Sequence, residues 1–249
     1  MIPPKNDIFP HLDGNIIGFG AKYPSFQQYQ EHHIQDKERQ KEYDITAYSI
    51  VKFFNLCMEN NPNIIDALFV PRRCVLYTTN IGEHIRSNRH IFLHKGGWHK
   101  FRGYSYAQMS KIDGKQNSSN TKRKADIEKY GYDVKFGMHV VRLLLEIEEI
   151  MSTGTLTLDK NSEILKSIRR GEWTLDRLKE WHQEKEKSLE HIFAESKLPH
   201  SPDENKIKKL LLECLECHYG SLTEAVRIDK NIENLVNDLQ TVLDKYKIT

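Results

Sequence analysis

The chain has 249 residues and a net charge of +2, with 38% hydrophobic and 29% charged residues. This length and composition predict one large globular domain or two small ones and argue against a disordered protein. Four scattered cysteines exclude a disulfide scaffold, and no apolar run is long enough to span a membrane. We therefore expect a cytoplasmic protein without a membrane association.

Charge is unevenly distributed along the sequence. Between His84 and Arg123 there are nine bases and one acid, Asp113. This segment is a basic patch, so the rest of the chain is net acidic. The nine bases are Arg86, Arg89, Lys95, Lys100, Arg102, Lys111, Lys115, Lys122 and Arg123.

The first half of the chain predicts mixed α and β structure. Residues 43–48 alternate β-forming residues around a single carboxylate, Asp44, and predict a strand. The polar segment 23–41 before it predicts a loop or a mobile turn, and His94–Gly97 predicts a flexible hinge. Three shorter strands are also predicted, at Asn15–Phe19, Cys74–Thr78 and Thr155–Leu158.

Helical patterns dominate the second half of the chain. Gly154 is a suitable C-terminal cap, and Pro199 ends a long charged helix. The predicted helices are Ser49–Glu59, Ile64–Phe69, Ile81–Asn88, Tyr130–Gly154, Asn161–Arg170, Thr174–Ser196, Glu204–Tyr219 and Leu222–Tyr246.

The helix predicted over Tyr130–Gly154 is the longest strongly patterned segment and is apolar on most sides, as expected of a buried helix. One stripe breaks this pattern. Lys135, His139 and Arg142 are followed by Glu146 at spacings of 4, 3 and 4, so all four share one face. Buried cations are costly unless they meet anions. The stripe is therefore either a solvent-exposed face whose bases form ion pairs with Glu146 and Glu149 of the same helix, or a phosphate-binding site.

A second cationic segment, Lys95 to Lys111, interleaves bases with aromatic residues. Bases such as Lys100 and Arg102 suit contacts with phosphates, and aromatic faces such as that of Tyr104 suit base stacking. An ordinary amphipathic helix with its aromatic residues inward explains the same pattern. Both interpretations remain open at this point.

Asp44 also has two interpretations. A lone carboxylate in a strand is usually an edge or surface residue. The alternative is a metal ligand or a general base that is presented on a rigid sheet.

Several phrases of the sequence together resemble one family through their order and spacing. It is the group of predicted nucleotidyltransferases of the DNA polymerase β superfamily associated with RNA repair, in the version found in large tailed phages. The resemblance extends from about Ile2 to about Gly220. The phrases are IPPK (residues 2–5), YDITAYSIVKFFNLCMENNPNIIDALFVP (43–71), FLHKGGWHKFRGYSYAQMSK (92–111), KYGYDVKFGMHVVRLLLEIEEIMSTG (129–154), ILKSIRRGEWT (164–174) and SKLPHSPD (196–203).

The resemblance implies a chemistry. Superfamily members carry a Gly-Ser motif, an Asp-x-Asp pair on one strand and a third carboxylate on a neighbouring strand, which together hold two divalent ions, Mg²⁺ or Mn²⁺. A hydroxyl attacks the α-phosphate of an NTP, and pyrophosphate leaves. Asp44 matches the third carboxylate, which is a metal ligand or base. Lys135, His139 and Arg142 match a helix that suits a triphosphate or an acceptor backbone.

The sequence departs from the family pattern at one place. The Gly-Ser and Asp-x-Asp residues should precede the IPPK phrase, which begins here at Ile2. Asp7 and Asp13 lie in a Pro-rich loop and do not form an alternating pair. We therefore expect this chain to lack part of the metal site and to be inactive alone. Such a chain would expose a sheet edge to a second chain that supplies the missing strands.

We accordingly predict a mostly helical α+β protein. Residues 1–112 would be the remainder of a nucleotidyltransferase core with an incomplete mixed sheet, and residues 123–249 a helical domain with a phosphate-binding helix at 130–153. The predicted function is nucleotide transfer from an NTP to a hydroxyl, with RNA or another polynucleotide as acceptor, in the host cytoplasm if a phage encodes the protein. The alternatives are a non-catalytic nucleotide- or RNA-binding protein and a phage interaction protein. The residues predicted to contact the polynucleotide are Lys95, Lys100, Arg102, Tyr104 and Lys111.

Overall fold

The computed structural model describes residues 1–11, 13–20, 28–114, 121–225 and 238–241. Within these ranges the chain is mostly helical with one two-stranded antiparallel sheet, which confirms the predicted α+β class. Two compact units are present: Met1–Ser49 with Leu212–Thr249 (unit 1), and Ile50–Leu211 (unit 2). These units do not follow the predicted division between residues 112 and 123, which stays a prediction based on the resemblance.

Unit 1 contains helix α1 (Lys5–Ile8) and a ribbon of two antiparallel strands, β1 (Gln28–Asp36) and β2 (Lys41–Tyr48). Most side chains of both strands are exposed. The predicted strand at Asp44 is confirmed. The loop or turn predicted over residues 23–41 is wrong for residues 28–36, which form β1, whereas residues 37–40 do form a turn. The strand was missed because β1 is polar on both faces and lacks the alternation that marks a strand. Residues 23–27 of that prediction lie outside the described part of the chain.

Helix α7 (Val134–Thr153) is the central helix of unit 2. It packs against α5 (Gly97–Gly114), α6 (Thr121–Tyr130), α8 (Ser162–Arg169) and α9 (Leu175–Glu195). Most of its residues are buried, which agrees with an apolar surface on most sides. The predicted central helix is confirmed, and its start moves to Val134.

Both ends of α7 are capped. The side chain of Asp133 accepts hydrogen bonds from the backbone N–H groups of Lys135 at 2.9 Å and Phe136 at 3.3 Å. Gly154 follows the last turn in the left-handed conformation, with a φ of 70°. These groups satisfy backbone atoms that have no partner inside the helix, so the predicted glycine cap is confirmed.

Gly137 allows the neighbours of α7 to approach closely. A Cβ atom at this position would lie 2.7 Å from the Tyr132 ring and 3.0 Å from Leu178 of α9. The Tyr132 hydroxyl in turn donates a hydrogen bond to the carbonyl oxygen of Trp173 at 3.0 Å. The helix that carries the polar stripe is therefore held in place by close packing at Gly137.

The remaining predicted helices that end before residue 222 agree with the structure to within a few residues, whereas α1 and α6 were not predicted. Of the helix predicted over Leu222–Tyr246, the described residues show helical turns at Thr223–Ala225 and 238–241, and the remainder lies outside them. No helix among the described residues is both long and apolar enough to cross a membrane. The other helices are α2 (Ile50–Met58), α3 (Pro62–Leu68), α4 (Asn80–Ser87) and α10 (Glu204–Tyr219).

Three predicted strands are wrong. Residues 17–20 form turns, a 3-10 helix at Arg72–Cys74 precedes an unpaired extended segment, and residues 155–160 are coil and turn. Short apolar runs favoured strands at these places, but a strand needs a partner for its backbone groups. Among the described residues only β1 and β2 have one.

The predicted hinge His94–Gly97 is a fixed turn. Most of it is buried, and the backbone N–H groups of Lys95 and Gly96 donate hydrogen bonds to the carbonyl oxygens of Pro199 at 2.8 Å and His200 at 3.2 Å. Two adjacent glycines predict flexibility only when the segment is exposed. Here a Cβ atom at Gly97 would lie 2.7 Å from the Asn60 side chain, so glycine serves close packing.

Candidate functional sites

Asp44 is an exposed carboxylate on β2, with 64% of its side chain accessible to solvent. Its Oδ1 accepts a hydrogen bond from the backbone N–H of His33 at 3.1 Å and lies 3.2 Å from Nδ1 of His32. These contacts lower the pKa of Asp44, and the His33 N–H has the largest effect. Two histidines of the neighbouring strand therefore hold this carboxylate in its ionised form.

Asp44 shares the ribbon with two other side chains of the kind that bind metals. One ligand atom from each of His33, Glu42 and Asp44 lies within 4.8 Å of the other two. An imidazole and two carboxylates are donors that divalent ions accept. The donor set of the ribbon therefore fits a divalent metal ion.

The stripe on α7 changes character along its length. Lys135 is exposed and has no ion pair within the described part of the chain. His139 and Arg142 are half-buried, and Glu146 is buried. One helix face therefore runs from an exposed cation at its N-terminal end to a buried acid.

His139 lies in a positive environment. Its pKa falls to about 4, primarily because the ring is partly buried. Three cations add to this effect, in decreasing order Arg142, Lys135 and Arg169. The ring is therefore neutral at pH 7 and close to positive charge.

Arg169 is the residue of this environment that helical spacing on α7 cannot reveal, because it is the last residue of α8. It is exposed and has no ion pair with any described residue. Lys166, one turn earlier, is paired with Glu163 at 2.7 Å, and the next residue, Arg170, is paired with Glu172 at 2.5 Å. Among these neighbours Arg169 is the cation that is available to an external anion.

Arg142 is held by carboxylates. Its Nη1 forms an ion pair with Oδ2 of Asp66, from α3, and lies 3.7 Å from Oε1 of Glu146. The interpretation in which acids bridge the stripe therefore describes Arg142, with an additional acid from another helix. A phosphate contact by Arg142 stays a prediction.

Two further buried acids lie close to this pair. Glu146 and Glu149 are 6% and 7% exposed, and Oε1 of Glu149 lies 3.9 Å from Nζ of Lys160. Burial, followed by the charge of Asp66, raises the pKa of Glu146 to about 8, and burial also raises the pKa of Asp66. A proton held by this pair allows these acids to lie close together, because like charges in a buried site cannot all be ionised.

One face of α5 is an open cationic groove of about 420 Å³. Lys100, Tyr104 and Lys111 line it, and they are three of the five residues predicted to contact the polynucleotide. Nζ of Lys100 lies 3.3 Å from a carboxylate oxygen of Glu59, and both side chains are largely exposed. Nζ of Lys111 lies 5.5 Å from the ring centroid of Phe136, the residue after Lys135 on α7. The groove therefore ends beside the start of the stripe.

The other two predicted residues have partners inside the fold. Lys95 is buried, and its Nζ donates to the carbonyl oxygen of Ala194 at 3.4 Å. Nε of Arg102 donates to Oε1 of Glu186 at 3.0 Å, and the guanidinium lies 5.5 Å from the ring centroid of Tyr106. A polynucleotide contact by Lys95 or Arg102 stays a prediction. Part of α5 matches the other interpretation, an amphipathic helix with aromatic residues turned inward, because Trp98 and Phe101 are buried.

Helices α5 and α9 also share a Ser–His–Glu arrangement that no spacing in the sequence indicates. Oγ of Ser105 lies 3.1 Å from Nε2 of His182, whose Nδ1 lies 3.6 Å from Oε2 of Glu186. Ser105 is fully buried, and burial lowers the pKa of His182. We interpret the arrangement as a polar contact between the two helices, because its hydroxyl is not accessible to a substrate.

Cationic helix faces and a ribbon with side chains that can bind a metal ion are features expected of a class of proteins that handle phosphate-bearing ligands. The model of one family, RlaP, the RNA repair pathway DNA polymerase beta family, matches residues 20–213. This match covers well over half of the 249 residues, and the chain therefore belongs to that family of polymerase-β-like nucleotidyltransferases. No curated protein and no solved structure matches it. The resemblance is confirmed at the level of the family, and the large-phage version stays a prediction.

Proposed function

We propose that the protein takes part in metal-dependent transfer of a nucleotide from an NTP to a hydroxyl group, with RNA as the acceptor. The match of residues 20–213 to the RNA repair family carries this proposal. In the reaction, the acceptor oxygen attacks the α-phosphorus, a phosphate ester forms, the bond to the β-phosphate breaks and pyrophosphate leaves. The hydroxyl proton passes to a base, a role that Asp44 can fill.

Phosphate binding is assigned to the open end of the α7 stripe. Lys135 and Arg169 are exposed, have no ion pair among the described residues, and are both close enough to His139 to lower its pKa. An anion placed between these groups would neutralise their mutual repulsion. The neutral imidazole can add a hydrogen bond, so this end suits a triphosphate.

Metal binding is assigned to Asp44. Polymerase-β-like nucleotidyltransferases generally use divalent ions, and a bound ion would neutralise phosphate charge and orient the reacting groups. Within this chain, the His33 N–H and the His32 ring hold Asp44 in its ionised form, as a metal ligand requires.

RNA binding is assigned to the groove on α5. Lys100 and Lys111 can contact successive phosphates, and the half-exposed ring of Tyr104 can stack on a base. Tyr104 is oriented by Asn61, whose Nδ2 donates to the Tyr104 hydroxyl at 3.1 Å. A groove lined by both bases and an aromatic ring favours a single-stranded polynucleotide.

Equilibrium binding of a fluorescent NTP analogue tests the phosphate site. Lys135→Ala and Arg169→Ala should each weaken binding about tenfold, because a hydrogen bond to a charged group contributes roughly 1.5–3 kcal/mol. Lys166→Ala is the matched control, since Lys166 lies on the same helix as Arg169 but is paired with Glu163. If all three variants bound the NTP analogue with equal affinity, the proposed phosphate site on α7 would be wrong.

Transfer of a labelled nucleotide to RNA, measured with a second polypeptide that supplies the expected Gly-Ser and Asp-x-Asp residues, tests the role of Asp44. Asp44→Ala should abolish any transfer, whereas Asp36→Ala, at the far end of β1, should retain it. Transfer that survives in Asp44→Ala would contradict the assigned role. Salt-sensitive binding of NTP and RNA by the wild-type chain without transfer would instead favour the non-catalytic binding protein.

A further inference from the structure

The ribbon of unit 1 brings four side chains with metal-binding atoms together from two strands. His32 and His33 come from β1, and Glu42 and Asp44 come from β2. Nδ1 of His32 lies 3.2 Å from Asp44, and Nδ1 of His33 is hydrogen-bonded to Oε1 of Glu42. Each histidine of one strand therefore contacts a carboxylate of the other.

An irregularity in the pairing of the strands produces this arrangement. Glu31 pairs with Ile45 and Ile34 pairs with Tyr43, so two residues of β1 lie opposite one residue of β2. In a regular strand, adjacent side chains point to opposite faces, and only one of two consecutive histidines could face the carboxylates. The bulge, with His33 at a φ of 59°, allows both to contact them.

Hydrogen bonds outside this group orient its members. Nε2 of His32 lies 2.7 Å from Nε2 of the Gln30 amide, which can only donate. His32 therefore accepts at Nε2 and carries its proton on Nδ1, which faces Asp44. Nε2 of Gln35 donates to Oε2 of Glu42 at 3.1 Å. Both carboxylates are thus held by neighbours, as is usual for metal ligands.

We propose that His33, Glu42 and Asp44 bind one divalent transition-metal ion, with His32 as a positioning residue. The ligand atoms are already within 4.8 Å of one another, and the ion would replace the hydrogen bond between His33 and Glu42. One imidazole with two carboxylates suits Mn²⁺ or Zn²⁺, whereas Mg²⁺ prefers oxygen ligands and retains water. The inference rests on the proposed function only in taking Asp44 as a ligand.

The site would also stabilise the ribbon itself. An isolated two-stranded ribbon is marginally stable in water, and most side chains of β1 and β2 are exposed. An ion held by His33 on one strand and by Glu42 and Asp44 on the other would join the two strands across the bulge.

Mn²⁺ binding to the full chain tests the proposal, measured as loss of the EPR signal of free Mn²⁺ in a buffer without nucleotide. Mn²⁺ is the better probe because the exposed thiols of Cys74 and Cys217 would compete for Zn²⁺. We expect one ion per chain and an affinity for Mn²⁺ above that for Mg²⁺. His33→Ala and Glu42→Gln should each weaken binding at least about tenfold, and His32→Gln by a smaller factor.

The matched control is His191→Ala. His191 also forms an exposed pair with a carboxylate, Glu195 at 3.4 Å, but belongs to no three-ligand group among the described residues. Its loss should leave Mn²⁺ binding unchanged. Equal binding in wild type and His33→Ala, or an equal loss in His191→Ala, would overturn the proposal.

Failure of this site can be separated from failure of the proposed function. NTP binding by the wild-type chain is measured in parallel in EDTA, where the ribbon holds no ion. Mn²⁺ binding without NTP binding would leave the ribbon site standing and overturn the phosphate site on α7. NTP binding with no Mn²⁺ affinity would have the opposite meaning.

Discussion

The two ends of the α7 stripe place cations in different surroundings. Arg142 is half-buried and has Asp66 and Glu146 as partners, whereas Lys135 is exposed and has no ion pair with any described residue. A cation bound by internal carboxylates contributes to folding, and a cation without such a partner is available to a ligand. Bases that share one helix face therefore need not share one role.

The largest expected effect is at the buried end. Asp66→Ala should lower the free energy of unfolding by about 3 kcal/mol, because it leaves Arg142 partly buried beside Glu146 without its closest anion. Urea unfolding measures the change. Asp113→Ala, which removes the exposed partner of Lys179, is the control and should cost less than about 1 kcal/mol. Similar losses in both variants would mean that the Arg142 pair is an ordinary surface pair.

The second effect is a pH dependence at the same end. The pKa of Glu146 is about 8 in the folded chain and about 4.5 when unfolded, so the folded state binds more protons between these values. The contribution of Glu146 to the free energy of unfolding should therefore be fully present below pH 4.5 and be lost as the pH rises through 8. The loss is at most about 1.4 kcal/mol per unit of pKa shift, and coupling to Asp66 reduces it.

Glu146→Gln keeps the shape of this side chain and removes its titration. Urea unfolding at several pH values between 5 and 8 should show a flatter profile for this variant than for wild type. Glu148→Gln is the control on the same helix, because Glu148 is less buried and is paired with Lys185 at 2.8 Å. A wild-type profile that is flat over this range would contradict a protonated Glu146.

The smallest effect separates the two faces of α5. Arg102→Ala should destabilise the protein by about 1–2 kcal/mol, since Glu186 is 13% exposed and loses a charged hydrogen bond. Lys100→Ala combined with Lys111→Ala should change stability by less than about 1 kcal/mol. The double variant should instead weaken RNA binding. The slope of the logarithm of the binding constant against the logarithm of the salt concentration should become shallower by about 0.7 for each phosphate that the protein no longer neutralises. RNA titrations at several salt concentrations measure this, and an unchanged slope would exclude the groove as the RNA site.

Local signals predicted most of the helices. Helical periodicity and the cap at Gly154 are properties of neighbouring residues, so they are visible in the sequence. The strand β1 was not predicted, because its side chains are polar on both faces and only pairing with β2 makes it a strand. For the same reason, the sequence alone could not place His32 and His33 against Glu42 and Asp44.

By itself, the sequence determined that Lys135, His139 and Arg142 share one face of α7, because helical periodicity depends only on spacing along the chain. Only the tertiary structure decided that Arg142 meets Asp66, 76 residues earlier in the chain. It also decided that Arg169, from α8, joins the other end of the stripe. Electrostatic partners depend on distance in space, and the packing of separate helices sets that distance.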